Sequence, residues 1–146
     1  MTDMESRPQA VIDHHTLHGE FKLSNGGTSD TYIDLRAALL CPLCGESVAH
    51  WYSGQIEELA EGGITAVATG SFGALLLGSL TRDWRCVLWN PKGHGVEWSG
   101  TYVHRGFRVV LLDDVVTTGG TLRALRAACE KEGWEVVGEI VAVRRA

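Results

Sequence analysis

The sequence contains no apolar run that approaches the roughly 20 residues needed to cross a bilayer. Its first residues, MTDMESRPQ, are polar and lack the apolar stretch of a secretory signal peptide. These two absences argue against a membrane protein and against a secreted one. We therefore expect a cytoplasmic protein with no membrane partner.

The chain also lacks an excess of positive charge. It has 13 Lys and Arg residues against 18 Asp and Glu residues, which gives a formal net charge of −5 at pH 7. A general nucleic-acid binder normally presents a basic face, so we expect no nucleic-acid partner. A phosphorylated small molecule is not excluded, because a few local donors suffice to bind it.

Cysteine is scarce, with four residues in the whole chain. Cys41 and Cys44 have the spacing of half a zinc site, but no second C-x-x-C or H-x-x-x-H motif follows them to complete four ligands. A redox pair is the alternative, although no strand is predicted directly before the motif. We favour the interpretation that these are ordinary thiols.

Two common nucleotide-binding motifs are missing. No G-x-x-x-x-G-K-[ST] is present, which excludes a P-loop triphosphatase, and no G-x-G-x-x-G is present, which excludes a dinucleotide-binding fold. What the chain does contain is VVLLDDVVTTGGTLRAL at residues 109–125. This stretch combines an apolar run, two adjacent acids, a Thr/Gly turn and the beginning of a helix.

The apolar pattern alternates between strands and helices along most of the chain. Predicted strands are residues 20–23, 31–35, 64–68, 85–89, 108–112 and 135–143, and predicted helices are residues 7–17, 46–61, 74–80 and 121–132. Residues 90–106 contain four glycines without a sustained period, which predicts a long, functional or mobile loop.

This alternation indicates an α/β fold with a mostly parallel central sheet flanked by helices. The turn residues Asn25-Gly26-Gly27 predict a small hairpin before the sheet. We expect residues 1–146 to form a single domain, with an N-terminal hood and hairpin at about 1–36 and an α/β core at about 37–146.

Parallel sheets bind ligands at the carboxyl ends of their strands. Loops 69–73 and 117–121 fall at that edge, together with Asp113 and Asp114. A Thr/Gly loop that opens a helix can hold a phosphate monoester with backbone N–H groups, hydroxyls and the helix dipole. The adjacent carboxylates could hold a sugar diol, so the segment suits a ribose 5-phosphate. The alternative is that the acids merely cap the helix.

The segment VVLLDDVVTTGGT resembles the signature with which type I phosphoribosyltransferases bind phosphoribosyl pyrophosphate (PRPP). Two further stretches resemble the orotate branch of that superfamily: GEFKLSNGGTSDTYIDLR at 19–36 is similar to its N-terminal hairpin, and KGHG at 92–95 to the end of its flexible catalytic loop. The resemblance runs from about residue 9 to residue 145. It implies a Mg²⁺-dependent transfer of ribose 5-phosphate from PRPP to orotate, giving orotidine 5′-monophosphate and pyrophosphate.

The resemblance also implies roles for individual residues. The residues implied to bind PRPP are Thr69, Gly70 and Ser71 at the pyrophosphate, Asp113 and Asp114 at the ribose hydroxyls, and Thr117, Thr118, Gly119, Gly120 and Thr121 at the 5-phosphate. Those implied to contact the base are Ser24, Tyr32, Ile33 and Arg145. Lys92 and His94 would act in catalysis together with the two acids. Mg²⁺ would be bound mainly through PRPP rather than by direct protein ligands.

In this family the catalytic loop usually enters the active site of the neighbouring subunit, so the resemblance implies a homodimer in which loop 90–106 reaches the other site. Three positions depart from the family pattern. Leu88-Trp89 stands where an Arg-Lys pair is usual, Ser24 where a base-binding lysine is common, and Arg144 where an aspartate is common.

These departures keep other functions open. The chain could be a phosphoribosyltransferase for another nucleobase, or a non-catalytic PRPP- or nucleotide-binding regulator on the same fold. A third, weaker possibility is a nucleoside hydrolase-like or phosphatase activity that uses the acids.

Overall fold

A computed structural model describes residues 8–23, 26–63, 66–70, 73–74, 77–78, 84–91, 96–100, 106–116 and 118–144. Its strands are β1 (Thr16–Lys22), β2 (Thr28–Ile33), β3 (Ala66–Thr69), β4 (Arg85–Trp89), β5 (Trp98–Gly100), β6 (Arg108–Val116) and β7 (Glu135–Arg144). Its helices are α1 (Gln9–His14), α2 (Leu35–Leu40), α3 (Pro42–Leu59), a 3₁₀ turn (Ala60–Gly62) and α4 (Gly120–Lys131). Within these residues no helix is both long enough and apolar enough to span a bilayer.

The central sheet confirms the predicted fold class. Its five strands lie in the order β5-β4-β3-β6-β7, and the β4–β3, β3–β6 and β6–β7 pairs are parallel. The separate N-terminal hairpin pairs β1 with β2 in antiparallel fashion. Because β3, β4, β6 and β7 run in one direction, their carboxyl ends meet at one edge of the sheet.

The sheet is buried on both faces, as a continuous apolar strand such as β6 predicts. Val110 and Leu112 of β6 pack toward α3, in a core that also contains Val48, Tyr52 and Ile56. Val109 and Leu111 pack toward α4, against Leu122, Leu125 and Cys129. The two helices therefore hold β6 from opposite sides, and β6 is the strand that carries the acids.

Several predicted boundaries are wrong. Residues 16 and 17 belong to β1 rather than to the first helix, and the second hairpin strand ends at Ile33 because Asp34 caps α2. The Asp34 carboxylate accepts a hydrogen bond from the Ala37 N–H at 3.1 Å, the usual N-cap contact. Pro42 occupies the first turn of α3, where its missing N–H removes no helical bond, so this helix begins earlier than predicted.

Two corrections affect the edge where a ligand is expected. The predicted loop 90–106 contains β5, which pairs antiparallel with β4 through Trp89 and Trp98. The predicted strand 108–112 extends to Val116, so Asp113 and Asp114 lie inside β6 and not after its end. Sheet pairing with β7 therefore holds this part of β6, through the pairs Asp113–Val141 and Val115–Val143.

Candidate functional site

The loop that follows β3 lies against the acids of β6. The two strands are parallel neighbours, with Ala68 opposite Leu111. A Cβ placed on Gly73 would lie 2.9 Å from Oδ2 of Asp114 and 3.0 Å from Cγ of Arg36, so a larger residue would push these side chains aside. The close approach therefore favours glycine at this position. The geometry places Gly73 beside Asp114.

Asp113 is the buried member of the acidic pair, with 6% of its surface exposed. Burial, together with a hydrogen bond with the Asp114 side chain and the nearby Asp114 charge, raises the pKa of Asp113 from 3.8 to about 7. The backbone N–H of Asp114 donates to the Asp113 carboxylate at 2.9 Å and opposes this effect. The two adjacent acids therefore lie in unlike environments, and burial disfavours the charged form of Asp113.

Asp114 is only half-buried and its carboxylate accepts the N–H of Val115 at 2.8 Å. Arg36 lies on the same side. A hydrogen bond to Tyr32 raises the pKa of the Arg36 guanidinium, as do the negative charges of Asp114 and Asp34. Arg36 therefore connects the hairpin, through Tyr32, with the acids of the sheet.

The turn between β6 and α4 has the backbone of an anion-binding loop. Gly119 has φ of 81°, a conformation that favours glycine, and α4 begins at the next residue. The Thr118 hydroxyl accepts the Gly120 N–H at 3.4 Å, while Nη1 of Arg123 donates to the Thr118 carbonyl at 3.0 Å. Thr118 and Thr121 are both exposed at the helix start.

A cavity of about 330 Å³ opens beside this turn. Its lining comprises Val116, Thr118, Gly119, Leu122, Arg123, Glu139 and Arg144. The two arginines make it a basic cavity in an acidic protein, although Glu139 lies within 3.7 Å of Arg144 and 3.0 Å of Arg126. Arg144, which departs from the family pattern, therefore adds a cation near the helix N-terminus.

Two of the residues predicted to contact the base lie on the hairpin, here called the base side of the candidate site. Tyr32 and Ile33 are half-buried at the end of β2, and the Tyr32 ring packs on Phe21 with centroids 5.6 Å apart. The pyrophosphate side begins at Thr69, which is buried, and Gly70, which is exposed. A Cβ on Gly70 would lie 3.5 Å from the Trp89 ring, so the tryptophan of the unusual Leu88-Trp89 pair packs beside this loop.

Six of the predicted site residues fall outside the described residues. They are Ser24, Ser71, Lys92, His94, Thr117 and Arg145. Among the rest, the structure brings Thr69, the two acids and the Thr118–Gly120 turn to one edge of the sheet.

Sequence reasoning missed three residues that touch this arrangement. The Tyr52 hydroxyl bonds the backbone of Asp113, Arg36 lies beside Asp114, and Arg123 holds the Thr118 carbonyl. Arg123 had a detectable signal, because a cation in the first turn of a helix is disfavoured unless an anion is nearby. Tyr52 had none, because its partners are 61 and 90 residues away in sequence.

The acidic side chains of the candidate site are also possible ligands of a metal ion. Across the described part of the chain, no three His, Cys, Asp or Glu side chains cluster in a way that could hold a metal. The acid pair of β6 still fits Mg²⁺, which is commonly bound by one or two carboxylates together with substrate phosphates. These residues suit a metal that arrives with a phosphorylated substrate.

Comparison with known proteins identifies the family. No protein-family model matches the chain. Orotate phosphoribosyltransferase of Erythrobacter litoralis is 30% identical over 99% of this chain and 77% of its own length, and that of Streptomyces coelicolor is 32% identical over 100% and 85%. The crystal structure of Mycobacterium tuberculosis orotate phosphoribosyltransferase in complex with inorganic phosphate superimposes with a TM-score of 0.70 at 26% identity, covering 98% of this chain and 83% of that one. The chain therefore belongs to the orotate phosphoribosyltransferase family and is an enzyme with the type I phosphoribosyltransferase fold.

Proposed function

We propose that this enzyme transfers ribose 5-phosphate from PRPP to orotate, giving orotidine 5′-monophosphate and pyrophosphate. The observation that carries the proposal is the juxtaposition of the Asp113-Asp114 pair with the glycine turn and basic cavity at the start of α4. The names of the relatives support orotate as the base, and the inorganic phosphate in the Mycobacterium tuberculosis enzyme supports a phosphate site.

In this proposal, different segments at the edge of the sheet bind different parts of PRPP. The loop Thr117–Thr121 holds the 5-phosphate, with the exposed Thr118 hydroxyl, the N–H groups of the turn and the dipole of α4 directed at it. Asp113 and Asp114 hold the ribose hydroxyls. Thr69, Gly70 and Ser71 contact the pyrophosphate.

The base and the closing loop complete the assignment. Tyr32, Ile33, Ser24 and Arg145 form the base pocket, where an arginine suits the orotate carboxylate. Lys92 and His94 are carried by loop 90–106, which enters the active site of the second subunit of a homodimer. We place this enzyme in the cytoplasm, with no nucleic-acid or membrane partner.

Mg²⁺ would be bound mainly through PRPP, and Asp113 and Asp114 are the carboxylates of this chain that could help to hold it. When bound, it supplies positive charge that stabilises the developing negative charge of the pyrophosphate. The protein residues do the rest: Lys92 and His94 add cationic donors to the leaving group, and the loop excludes water from the reactive ribose carbon. The bond between C1 of the ribose and the pyrophosphate oxygen breaks, and the orotate nitrogen forms the new bond to C1.

Turnover of orotate tests the proposal directly. The purified chain is incubated with PRPP, Mg²⁺ and orotate, and loss of orotate is followed by absorbance, with adenine, hypoxanthine and uracil as parallel substrates. We expect consumption of orotate and formation of pyrophosphate in equal amounts. Turnover with a different base would move the enzyme to another branch of the superfamily, and free ribose 5-phosphate without a nucleotide would indicate hydrolysis.

A non-catalytic regulator is the second candidate, and one observation favours it. Trp89 packs beside Gly70, where the family usually has a cation for the pyrophosphate. Its ring also lies 6.5 Å from the Trp98 ring, so the position is built as an aromatic contact. Calorimetry separates the two candidates, because a regulator would bind PRPP tightly and turn over none of the bases.

A further inference from the structure

We infer that Tyr52 is a positioning residue for the acid pair: its hydroxyl sets where β6 presents Asp113 and Asp114 to the ribose. This inference rests on the proposed function, since it assigns the acids to PRPP. Tyr52 lies in the middle of α3, on the face packed against the sheet, and its side chain is completely buried.

The hydroxyl of Tyr52 connects β6, the strand that carries the acids, with its neighbour β7. It donates to the backbone carbonyl of Asp113 at 2.6 Å and accepts the backbone N–H of Ala142 at 3.1 Å. The Asp113 carbonyl belongs to β6 and the Ala142 N–H belongs to β7. In an uninterrupted parallel ladder, a carbonyl and an N–H in these positions bond to each other directly.

The ladder between β6 and β7 is interrupted at this level. Asp113 pairs with Val141 and Val115 with Val143, but no pairing joins Asp114 to Ala142 between them. The two backbone donors at this level go to side chains instead: Ala142 to the Tyr52 hydroxyl, and Val115 to the Asp114 carboxylate at 2.8 Å. The tyrosine hydroxyl thus replaces a sheet bond at the level of the acids.

The environment of Tyr52 keeps the hydroxyl protonated and its ring fixed. Burial raises the pKa of Tyr52 well above its ordinary value, and the charges of Asp114 and Asp113 act in the same direction. The ring packs edge-on against Trp51, with centroids 4.8 Å apart. A neutral, immobile hydroxyl that both donates and accepts suits a spacer between two strands.

Tyr52→Phe removes the hydroxyl and leaves the ring. The Asp113 carbonyl and the Ala142 N–H must then either stay unpaired, which loosens β6 at the acids, or bond to each other, which shifts the acids toward β7. We expect the KM for PRPP to rise about tenfold, the scale of one buried hydrogen-bond partner lost. The kcat at saturating PRPP and the KM for orotate should change by less than about twofold, because the Tyr52 hydroxyl contacts the backbone of Asp113 and Ala142 rather than the base or the leaving group.

Ile56→Val is the matched control. Ile56 is equally buried on α3, one turn beyond Tyr52, and its truncation weakens the same core without touching the acids. A selective rise in the PRPP KM for Tyr52→Phe, absent in Ile56→Val, supports the inference. An unchanged PRPP KM, or equal effects of both variants on both substrates, would show that Tyr52 is only a core residue.

Calorimetric titration with PRPP separates failure of this inference from failure of the proposed function. If the wild-type chain binds no PRPP, the proposed function falls and this inference falls with it. If the wild type binds PRPP and Tyr52→Phe binds it equally well, only the inference is wrong.

Amide hydrogen exchange gives a second measurement that needs no variant. PRPP bound at the acids should slow exchange at Ala142, while Ala128 of α4, far along its helix, serves as the reference. Exchange at Ala142 that does not respond to PRPP would contradict the role of Tyr52.

Discussion

The phosphate side and the base side of the candidate site differ in how deeply their strands and helices are buried. On the phosphate side, residues 109–113 of β6 are buried without a break, and α4 buries four residues against the sheet. On the base side, no residue of β1 or β2 is fully buried. An isolated two-stranded hairpin is only marginally stable in water, so the base side depends on its contacts with the rest of the chain.

Ile33 of β2 packs against the hydrophobic core, and hydrogen bonds near the ends of the hairpin add further contacts. The Asp34 N–H donates to the His15 carbonyl at 2.9 Å, and the Thr16 hydroxyl donates to the Ile12 carbonyl at 2.8 Å. Arg36 adds the connection from Tyr32 to Asp114. The difference teaches that changes on the phosphate side should affect PRPP use strongly, whereas changes on the hairpin should affect base binding with small effects on PRPP.

The largest effect is expected from Asp114→Asn. Losing the charge while keeping the shape removes charged hydrogen bonds to the ribose hydroxyls, each contributing about 1.5–3 kcal/mol. We expect kcat/KM for PRPP to fall about a hundredfold, with the melting temperature nearly unchanged because the Asn oxygen can still accept the Val115 N–H.

Asp30→Asn is the control for that variant, because Asp30 is an exposed acid on β2. The same change of charge there should leave PRPP kinetics intact. Equal losses in the two variants would mean that overall charge, rather than the acid pair, controls PRPP binding.

Arg123→Gln tests the basic cavity. The guanidinium holds the Thr118 carbonyl and lines the cavity beside the helix start, so its removal should loosen the turn and withdraw a cation from the phosphate. We expect the PRPP KM to rise about tenfold with kcat nearly constant, the pattern of lost uniform binding. Lys131→Gln at the far end of α4 should have no effect, and an Arg123→Gln variant with normal PRPP kinetics would remove the cavity from the site.

The phosphate side could be predicted from sequence because its information is local. The apolar run, the acids, the glycines and the helix follow one another within 109–125, and the strand and helix formed there. The strand was predicted to end before the acids, since carboxylates are rarely placed inside a buried strand. The structure shows that paired backbone and side-chain hydrogen bonds hold them there.

The rest could not be predicted because it depends on distant contacts. Tyr52 fitted the apolar spacing of a helix, and nothing near it in sequence indicates that its hydroxyl meets Asp113 and Ala142. β5 is three residues long, too short to show an alternating pattern. The roles of Lys92 and His94 stay predictions.

The pH dependence of stability tests the burial of Asp113 on the phosphate side. The pKa of Asp113 is raised from 3.8 to about 7, so the folded state holds a proton that the unfolded state releases between these values. Its contribution to stability is present at low pH and is lost as pH rises toward 7. We expect wild-type stability to fall more between pH 5 and pH 8 than that of Asp113→Asn, as measured by urea unfolding at both values.

All six histidines are retained in both proteins, so the difference between wild type and Asp113→Asn isolates the acid pair. Equal slopes for the two proteins would mean that Asp113 is ionised in the folded state at pH 5. Its coupling to Asp114 would then be weaker than their contact implies.

The smallest effect is expected from Tyr32→Phe on the hairpin. The change removes the hydroxyl that bonds Arg36 but keeps the ring packed on Phe21. We expect the KM for orotate to rise about threefold, since one partly exposed hydrogen bond contributes about 0.5–1.5 kcal/mol, and the KM for PRPP to stay within about twofold. A larger effect on PRPP than on orotate would show that the Tyr32–Arg36–Asp114 connection transmits the hairpin's position to the ribose. The two sides would then act as one unit, however differently they are buried.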